Sequence, residues 1–315
     1  MARWEERLPD RLLLHRACRA EAQAEVGARA ALLPLGYDWE DLVLPARQKT
    51  ALRGICNRLR DGGQVYEAWG FDAKTNGARG VSALFYGPPG TGKTMAAQVV
   101  AKALGLDLYR VDLSAVLSKY IGETQKNLGS VFAEVEKSQG ILFFDEADAL
   151  FGRRTEVKDS HDRYANADTA FLLQKIESYA GIAILATNYY QNFDEAFKRR
   201  LQFVLEFPLP DAAQRLELWQ KAFPAAAPLA SDADLPWLAE RFELSGSNIR
   251  NIALAAAFSA AAAGSEITLA QLLEALREEL QKFGRALHTG ELGKYAWLLE
   301  EVEERNGGLS PRERI

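Results

Sequence analysis

The segment from Gly87 to Thr94, which reads Gly-Pro-Pro-Gly-Thr-Gly-Lys-Thr, constrains the fold of this chain more than any other stretch. It fits the pattern G-x-x-x-x-G-K-[ST], in which a glycine-rich backbone turns its N–H groups toward a phosphate. An apolar run of strand length, Val81 to Tyr86, precedes the segment, and a helical pattern of apolar residues follows it. This order of strand, loop and helix predicts a phosphate-binding loop, whereas a chance glycine-rich turn explains only the glycines.

Each position of the loop has an expected role. Lys93 is expected to reach the β- and γ-phosphates of a nucleotide, and the hydroxyl of Thr94 to hold Mg²⁺. The other nucleotide-binding positions predicted here are Gly87, Pro88, Pro89, Gly90, Thr91, Gly92 and Met95.

The composition excludes several classes of protein. The 315 residues are 48% hydrophobic and 26% charged, as in an ordinary folded chain, and the net charge of −5 gives no basic field for nucleic acid. Cys18 and Cys56 form neither a disulfide framework nor a metal-binding spacing, which suits the cytoplasm. The longest apolar run, Ile252 to Ala263, is too short to span a bilayer, so no membrane contact is expected.

Short apolar runs separated by helical patterns predict an α/β fold with a five-stranded parallel sheet flanked by helices. The predicted strands are Val81–Tyr86, Asp107–Val111, Ile141–Phe144, Ile182–Ala186 and Phe203–Phe207. From Asp211 onward the pattern is helical, which predicts a small all-α lid. The expected domains are a helical segment or linker at 1–36, a large α/β subdomain at 37–210, a helical lid at 211–290, and a C-terminal helix with a polar tail at 291–315.

Two acidic residues follow a buried strand. Asp145 and Glu146 come directly after Ile141–Phe144, and ligands of open α/β sheets bind at the carboxyl ends of strands. Asp145 is therefore expected to help hold Mg²⁺, and Glu146 to orient or deprotonate the attacking water. The alternative is that both residues only cap the next helix.

Further polar residues follow the later strands. Asn188 is expected to sense the γ-phosphate, although alone it could be a turn residue. Arg199 and Arg200 stand at a possible helix end, from which an arginine could reach the nucleotide of a neighbouring subunit. A basic triplet such as 198–200 is otherwise typical of a solvated surface.

The order of these motifs resembles the AAA+ ATPases, in the clade of FtsH-, Cdc48-, katanin- and spastin-like proteins, from about Trp39 to Phe283. Residues 87–94 are similar to the Walker A motif of the clade, 143–148 to Walker B, 187–188 to sensor 1 and 194–201 to the arginine-finger segment. Residues 245–250, Ser-Gly-Ser-Asn-Ile-Arg, resemble the start of the lid helix, which implies that Gly246 and Ser247 lie near the adenine. The clade lacks the usual sensor 2 arginine, so Arg250 is given no such role.

The segment 118–123 resembles the first pore loop of the family, which grips an extended polypeptide. The resemblance assigns this contact to Lys119, Tyr120, Ile121 and Gly122. The flat apolar ring of Tyr120 tolerates many side chains, but a tyrosine packed on the core at a helix end would give the same sequence. Residues 155–166 stand at the position of the second pore loop, and a surface loop is the alternative.

The resemblance implies a homo-oligomeric, hexameric ring that hydrolyses ATP with Mg²⁺ and remodels a protein substrate or assembly partner. Two departures from the family are visible: Tyr37–Val43 lacks the usual Gly-Gly, and no familiar adaptor-binding domain precedes residue 34. Residues 119–128 and 282–285 are also similar to bacterial ATPases associated with extracellular contractile injection systems. An ATP-dependent assembly or scaffold factor without threading therefore stays open as the alternative function.

Overall fold

The computed structural model describes residues 29–75, 79–117, 122–149 and 160–298, with the backbone alone at 75 and 160–166. Contacts divide the chain into two units. One comprises the described residues of Met1–Gly87 and Lys93–Phe207, and the other comprises those of Pro88–Gly92 and Pro208–Ile315.

The first unit is built on a sheet that has six strands in the described residues, in the order β1-β3-β4-β5-β2-β6. The strands are β1 (Ala30–Leu32), β2 (Val81–Tyr86), β3 (Leu108–Val111), β4 (Ile141–Phe144), β5 (Ile182–Thr187) and β6 (Phe203–Glu206). The five strands β2 to β6 pair in parallel, so the prediction of an α/β fold with a parallel five-stranded core is confirmed.

The sixth strand corrects the prediction. Ala30–Leu32 lies in the segment 1–36 that was expected to be helical, yet it pairs antiparallel with β3. The N–H of Leu33 donates to the Leu108 carbonyl at 2.8 Å, and the N–H of Asp112 donates to the Arg29 carbonyl at 2.9 Å. The open edge of β3 offers hydrogen bonds that an alanine-rich segment accepts, because tertiary pairing overrides a weak helical propensity.

Both faces of the sheet are buried, as the continuous apolar runs predict. On one face Leu142 and Phe144 pack with Leu128, and on the other Phe143 packs with Leu52. The helices of this unit are α1 (Ala46–Arg60), α2 (Asp72–Thr75), α3 (Lys93–Leu104), α4 (Leu113–Val116), α5 (Glu123–Ser138), α6 (Ser160–Ser178) and α7 (Glu195–Lys198).

The second unit is helical, as predicted for the C-terminal region. Its helices are α8 (Ala212–Ala222), α9 (Leu235–Arg241), α10 (Gly246–Ala263), α11 (Leu269–Gln281) and α12 (Thr289–Leu292). They enclose a core of their own around the fully buried Trp219 and Leu276. Capping boxes begin α8, α10 and α11, where a side chain and a backbone N–H satisfy each other. In the part of the chain that the structure describes, no helix is long and apolar enough to cross a membrane.

Candidate nucleotide site

The first residue of the loop can only be glycine. Gly87 follows β2 with φ of +147°, and a Cβ atom built on it would lie 2.1 Å from the Phe207 carbonyl oxygen. Its N–H donates to the Thr187 carbonyl at 3.3 Å. The chain thus leaves β2 at a point where the ends of β5 and β6 leave no room for a side chain.

The middle of the loop, Pro88–Gly92, belongs to the second unit, where it contacts the start of α10. Gly90 has φ of +75°, and a Cβ atom on it would lie 1.9 Å from Oγ of Ser247. The N–H of Ser247 donates to the Gly90 carbonyl at 3.3 Å, and Gly246 lies beside the same carbonyl. Two segments for which a nucleotide role was predicted separately therefore meet through a glycine that has no side chain.

Lys93, the first residue of α3, connects two strand ends. Its Nζ donates to the Gly87 carbonyl oxygen at 2.7 Å and to Oδ1 of Asn188 at 2.8 Å. Only 8% of Lys93 is exposed. Burial lowers the pKa of its ammonium group, and the nearby carboxylates of Asp145 and Asp148 oppose that shift. A buried ammonium group at the carboxyl edge of the sheet suits an anionic ligand, because a phosphate would supply the compensating charge.

The two acids after β4 have different environments. Asp145 is half-buried, whereas Glu146 is exposed and has φ of +50°, an uncommon value for a residue other than glycine. The N–H of Glu146 donates to Oδ1 of Asp145 at 3.1 Å, which stabilises this tight turn. Both acids line a cavity of about 580 Å³ together with the end of β3. Strain of this kind is concentrated at functional sites.

Asp148 and Thr187 belong to this edge of the sheet, although the sequence pattern assigned no role to Asp148. The Oγ1 of Thr187 donates to Oδ1 of Asp148 at 2.8 Å and accepts from the N–H of Tyr189 at 2.9 Å. A turn of 3-10 helix, Ala147–Ala149, carries Asp148 back toward the end of β5. The signal that could have found it is its spacing of three residues from Asp145, which one helical turn brings to the same side.

The arginines stand apart from the residues around Lys93. Arg199 and Arg200 are exposed and follow α7, whose N-cap Asp194 accepts from the N–H of Phe197 at 2.6 Å. Nε of Arg200 lies 3.5 Å from Oε1 of Glu177. Within the described residues neither arginine makes a hydrogen bond or ion pair with Lys93, and their proposed role in a neighbouring subunit stays a prediction.

Most of the predicted first pore loop lies outside the described residues, namely Lys119, Tyr120 and Ile121. Gly122 is described: it is exposed, has φ of +80° and immediately precedes α5. Of the second pore-loop segment, 155–159 lies outside the description and 160–166 is described by its backbone alone.

The oxygen ligands available here fit Mg²⁺ better than a metal held by protein alone. Thr94 is half-buried in the first turn of α3, and the half-buried Asp145 follows β4. Where side chains are described, no group of three or more His, Cys, Asp or Glu residues could hold a metal ion. A hydroxyl and one carboxylate match the usual binding of Mg²⁺, which completes its coordination with water and substrate phosphates.

A phosphate-binding loop between β2 and α3, with acids at the end of the neighbouring strand β4, defines the phosphate-loop class of nucleotide-binding proteins. Residues 83–209 match the family described as "ATPase family associated with various cellular activities (AAA)". Residues 211–287 match the "Contractile injection system ATPase helical domain". The chain is therefore a member of the AAA ATPase family, with an AAA ATPase domain followed by a contractile injection system ATPase helical domain.

Several curated proteins are similar in sequence. A katanin p60 ATPase-containing protein of Danio rerio is 31% identical over 69% of this chain and 50% of its own length. The probable 26S proteasome regulatory subunit 6B of Caenorhabditis elegans is 32% identical over 72% of this chain and 55% of its own length. The uncharacterized AAA family ATPase y4kL of Sinorhizobium fredii is 33% identical over 56% of this chain and 52% of its own length. This chain thus spans about half the length of these three relatives.

The fold is shared with a solved AAA domain. The crystal structure of the FIGL-1 AAA domain in complex with ADP has a TM-score of 0.64 and 22% sequence identity, and the match covers 92% of this chain and 98% of that chain. A second structure of the FIGL-1 AAA domain gives a TM-score of 0.62 at 21% identity, with 97% and 98% covered. At this identity the likeness establishes the architecture.

Proposed function

We propose that this chain hydrolyses ATP to ADP and phosphate. The observation that carries the proposal is the buried ammonium group of Lys93, held between the Gly87 carbonyl and Asn188 at the carboxyl ends of β2 and β5. A phosphate that enters here replaces neutral oxygen acceptors with a charged one, which strengthens each hydrogen bond that Lys93 donates. The membership in the AAA ATPase family supports the same reaction.

The residues around Lys93 divide the work of phosphoryl transfer. Lys93 neutralises charge on the β- and γ-phosphates, and Asn188 is positioned by Lys93 to contact the γ-phosphate. Glu146, exposed beside Asp145, accepts a proton from the attacking water. Bound through Thr94 and Asp145, Mg²⁺ would supply further neutralisation of phosphate charge. Gly246 and Ser247 would lie near the adenine.

The proposed working form is a ring of identical subunits, with Arg199 and Arg200 completing the site of the neighbour. Both arginines are exposed, and an arginine from a neighbouring molecule can raise hydrolysis about 10³-fold or more in known cases. Relatives whose names mark them as a proteasome regulatory subunit or a katanin-type protein support such an assembly and a protein substrate. In this proposal hydrolysis moves the loop that carries Tyr120 against an extended polypeptide.

A second function is favoured by one observation, the match of residues 211–287 to the contractile injection system ATPase helical domain. The chain would then be an ATP-dependent assembly or scaffold factor, for example for such a system, without processive threading. Slow turnover and full function after Tyr120→Ala would favour this role.

The test is the rate of ATP hydrolysis per protein chain, measured over a range of protein concentrations, with Glu146→Gln as the inactive reference. We expect specific activity to rise steeply with concentration and to vanish in Glu146→Gln, since the arginines act between subunits. A flat profile would contradict the role of Arg199 and Arg200 in a neighbour. Nucleotide binding without hydrolysis at any concentration would favour the scaffold function.

A further inference from the structure

Two tyrosines stack directly beside the phosphate loop. Tyr86 is the last residue of β2 and precedes Gly87, and its ring lies 4.0 Å from that of Tyr190, with 22° between the ring planes. Tyr190 begins the 3-10 turn Tyr190–Asn192, two residues after Asn188. The stack therefore joins the ends of two strands whose neighbouring residues contact Lys93.

The other contact of the Tyr190 ring is a cation. Nζ of Lys198 lies 3.8 Å from the centroid of that ring, and only 14% of the Lys198 side chain is exposed. Cation–π attraction is strongest when the cation is removed from water, as it is here. The partner carboxylate of Lys198 is Glu195, at 3.3 Å, whose side chain is 76% exposed, so this ion pair is the weaker restraint.

Lys198 ends α7, and the next residue is Arg199. A helix of four residues has little stability of its own, so its orientation depends on side-chain contacts. Phe197 supplies one of these contacts, since it is 3% exposed and its ring lies 5.0 Å from that of Phe193. Lys198 on Tyr190 supplies a second contact, immediately before the exposed arginines.

The two arginines differ in what holds them. Arg200 has a partner in its own chain, Glu177 of α6, at 3.5 Å. Among the described residues Arg199 makes no side-chain hydrogen bond or ion pair, so its direction follows from the backbone of α7 and from Lys198 beside it.

We propose that Tyr190 is a positioning residue that couples the phosphate loop of one subunit, through Tyr86 and Lys198, to the arginine that the subunit presents to its neighbour. The inference rests on the proposed function, because it assumes that Arg199 acts between subunits. A displacement of Gly87 or Asn188 during the nucleotide cycle moves the stacked rings, and Lys198 carries that movement to Arg199. Tyr190 contacts no substrate in this proposal.

The test mixes two full-length variants that are each inactive alone. The donor carries Lys93→Met and keeps its arginines, and the acceptor carries Arg199→Ala with Arg200→Ala and keeps its own nucleotide site. Hydrolysis in the mixture then reports the arginines of the donor acting on the acceptor. Tyr190→Leu is introduced into the donor or into the acceptor, with Tyr189→Leu as the matched control, since Tyr189 is adjacent and 53% exposed.

We expect Tyr190→Leu in the donor to lower the hydrolysis rate of the mixture about tenfold, because a displaced catalytic group loses orientation, with an unchanged KM for ATP. The same substitution in the acceptor should have a smaller effect, and Tyr189→Leu none. Tyr190→Phe and Lys198→Arg in the donor should retain the rate, because they keep the ring and the cation, whereas Lys198→Met should lower it. Melting temperatures of all donors establish that they remain folded.

Equal loss in donor and acceptor, or full activity of a folded Tyr190→Leu donor, would overturn the inference. The proposed function fails differently: the mixture without any tyrosine substitution would then stay inactive although the wild-type protein hydrolyses ATP. That result removes the trans role of Arg199 and, with it, this inference.

Discussion

The ammonium group of Lys93 donates a 2.8 Å hydrogen bond to Oδ1 of Asn188, a residue that lies 95 positions further along the chain. Through its second bond, to the Gly87 carbonyl at 2.7 Å, Lys93 also connects the start of α3 with the end of β2. One buried side chain thus joins three segments at the edge of the sheet where a phosphate is expected to bind.

Replacement of Lys93 should mainly affect nucleotide binding. We expect Lys93→Met to weaken ATP binding about 10- to 100-fold, because a hydrogen bond to a charged group contributes about 1.5–3 kcal/mol. Titration with a fluorescent ATP analogue measures the affinity. Lys102→Met is the matched control, since Lys102 lies on the same helix and pairs with Asp38 in an exposed position. Equal affinities for the two variants would contradict the assignment of Lys93.

Asn188 should matter for the chemical step more than for binding. We expect Asn188→Ala to lower kcat about 100-fold, in the range found when a donor to a transition state is removed, while KM changes little. Steady-state hydrolysis over a range of ATP concentrations separates the two constants. Gln191→Ala, an exposed change in the following turn, is the control. A rise in KM with kcat unchanged would show that Asn188 only contributes to binding.

The Thr187 hydroxyl should stabilise the fold at the same edge of the sheet. Thr187 is 1% exposed, and Thr187→Val keeps its shape while removing the partner of Asp148 and of the Tyr189 N–H. We expect the free energy of unfolding to fall by about 1–3 kcal/mol, the penalty of an unsatisfied buried polar group. Urea denaturation measures it, with Thr50→Val on the exposed side of α1 as the control. An unchanged midpoint would mean that water replaces the hydroxyl.

Glu279 makes the stability of the helical unit depend on pH. Burial raises the pKa of this carboxyl, but hydrogen bonds from Lys282, Asn248 and Asn251 outweigh burial, so the pKa lies below its ordinary value of 4.5. A folded-state pKa below the unfolded value gives stability that is present above pH 4.5 and is lost as the pH falls through the folded-state pKa.

We therefore expect Glu279→Gln to melt at a lower temperature than the wild type at pH 7, and the difference to shrink as the pH falls below 4.5. Thermal unfolding from pH 7 to pH 3 tests this. Glu278→Gln is the matched control, because Glu278 is the exposed neighbour on α11. A difference that stays constant over this range would show that Glu279 stabilises the unit by its shape alone.

Tyr120, which lies outside the described residues, provides a test of the pore-loop assignment. We expect Tyr120→Ala to keep basal ATP hydrolysis and the melting temperature, and to lose ATP-dependent unfolding of a fluorescent protein that bears an unstructured tail. Loss of fluorescence over time measures unfolding. An equal loss of hydrolysis and thermal stability would instead identify Tyr120 as a core residue.

The parallel strands were predictable because each is an uninterrupted apolar run, buried on both faces. The edge strand β1 was not, because Ala30–Leu32 has helical propensity and pairs only where β3 offers an open edge. At the candidate site the loop and the acids after β4 follow from local sequence. The contact of Asp148 with Thr187 depends on a turn that returns Asp148 to another strand, and single-sequence patterns do not report such returns.

The class of fold and the position of the phosphate loop follow from the amino-acid sequence alone, because glycine spacing, strand-length apolar runs and helix caps are properties of neighbouring residues. Which distant groups meet is settled in the folded chain: Lys93 with Asn188, Gly90 with Ser247, and Tyr86 with Tyr190. These pairs depend on strand order and on the exclusion of water from the packed edge of the sheet. Both arise when the whole chain folds, since a hydrogen bond or ring stack between distant residues has no local sequence signature.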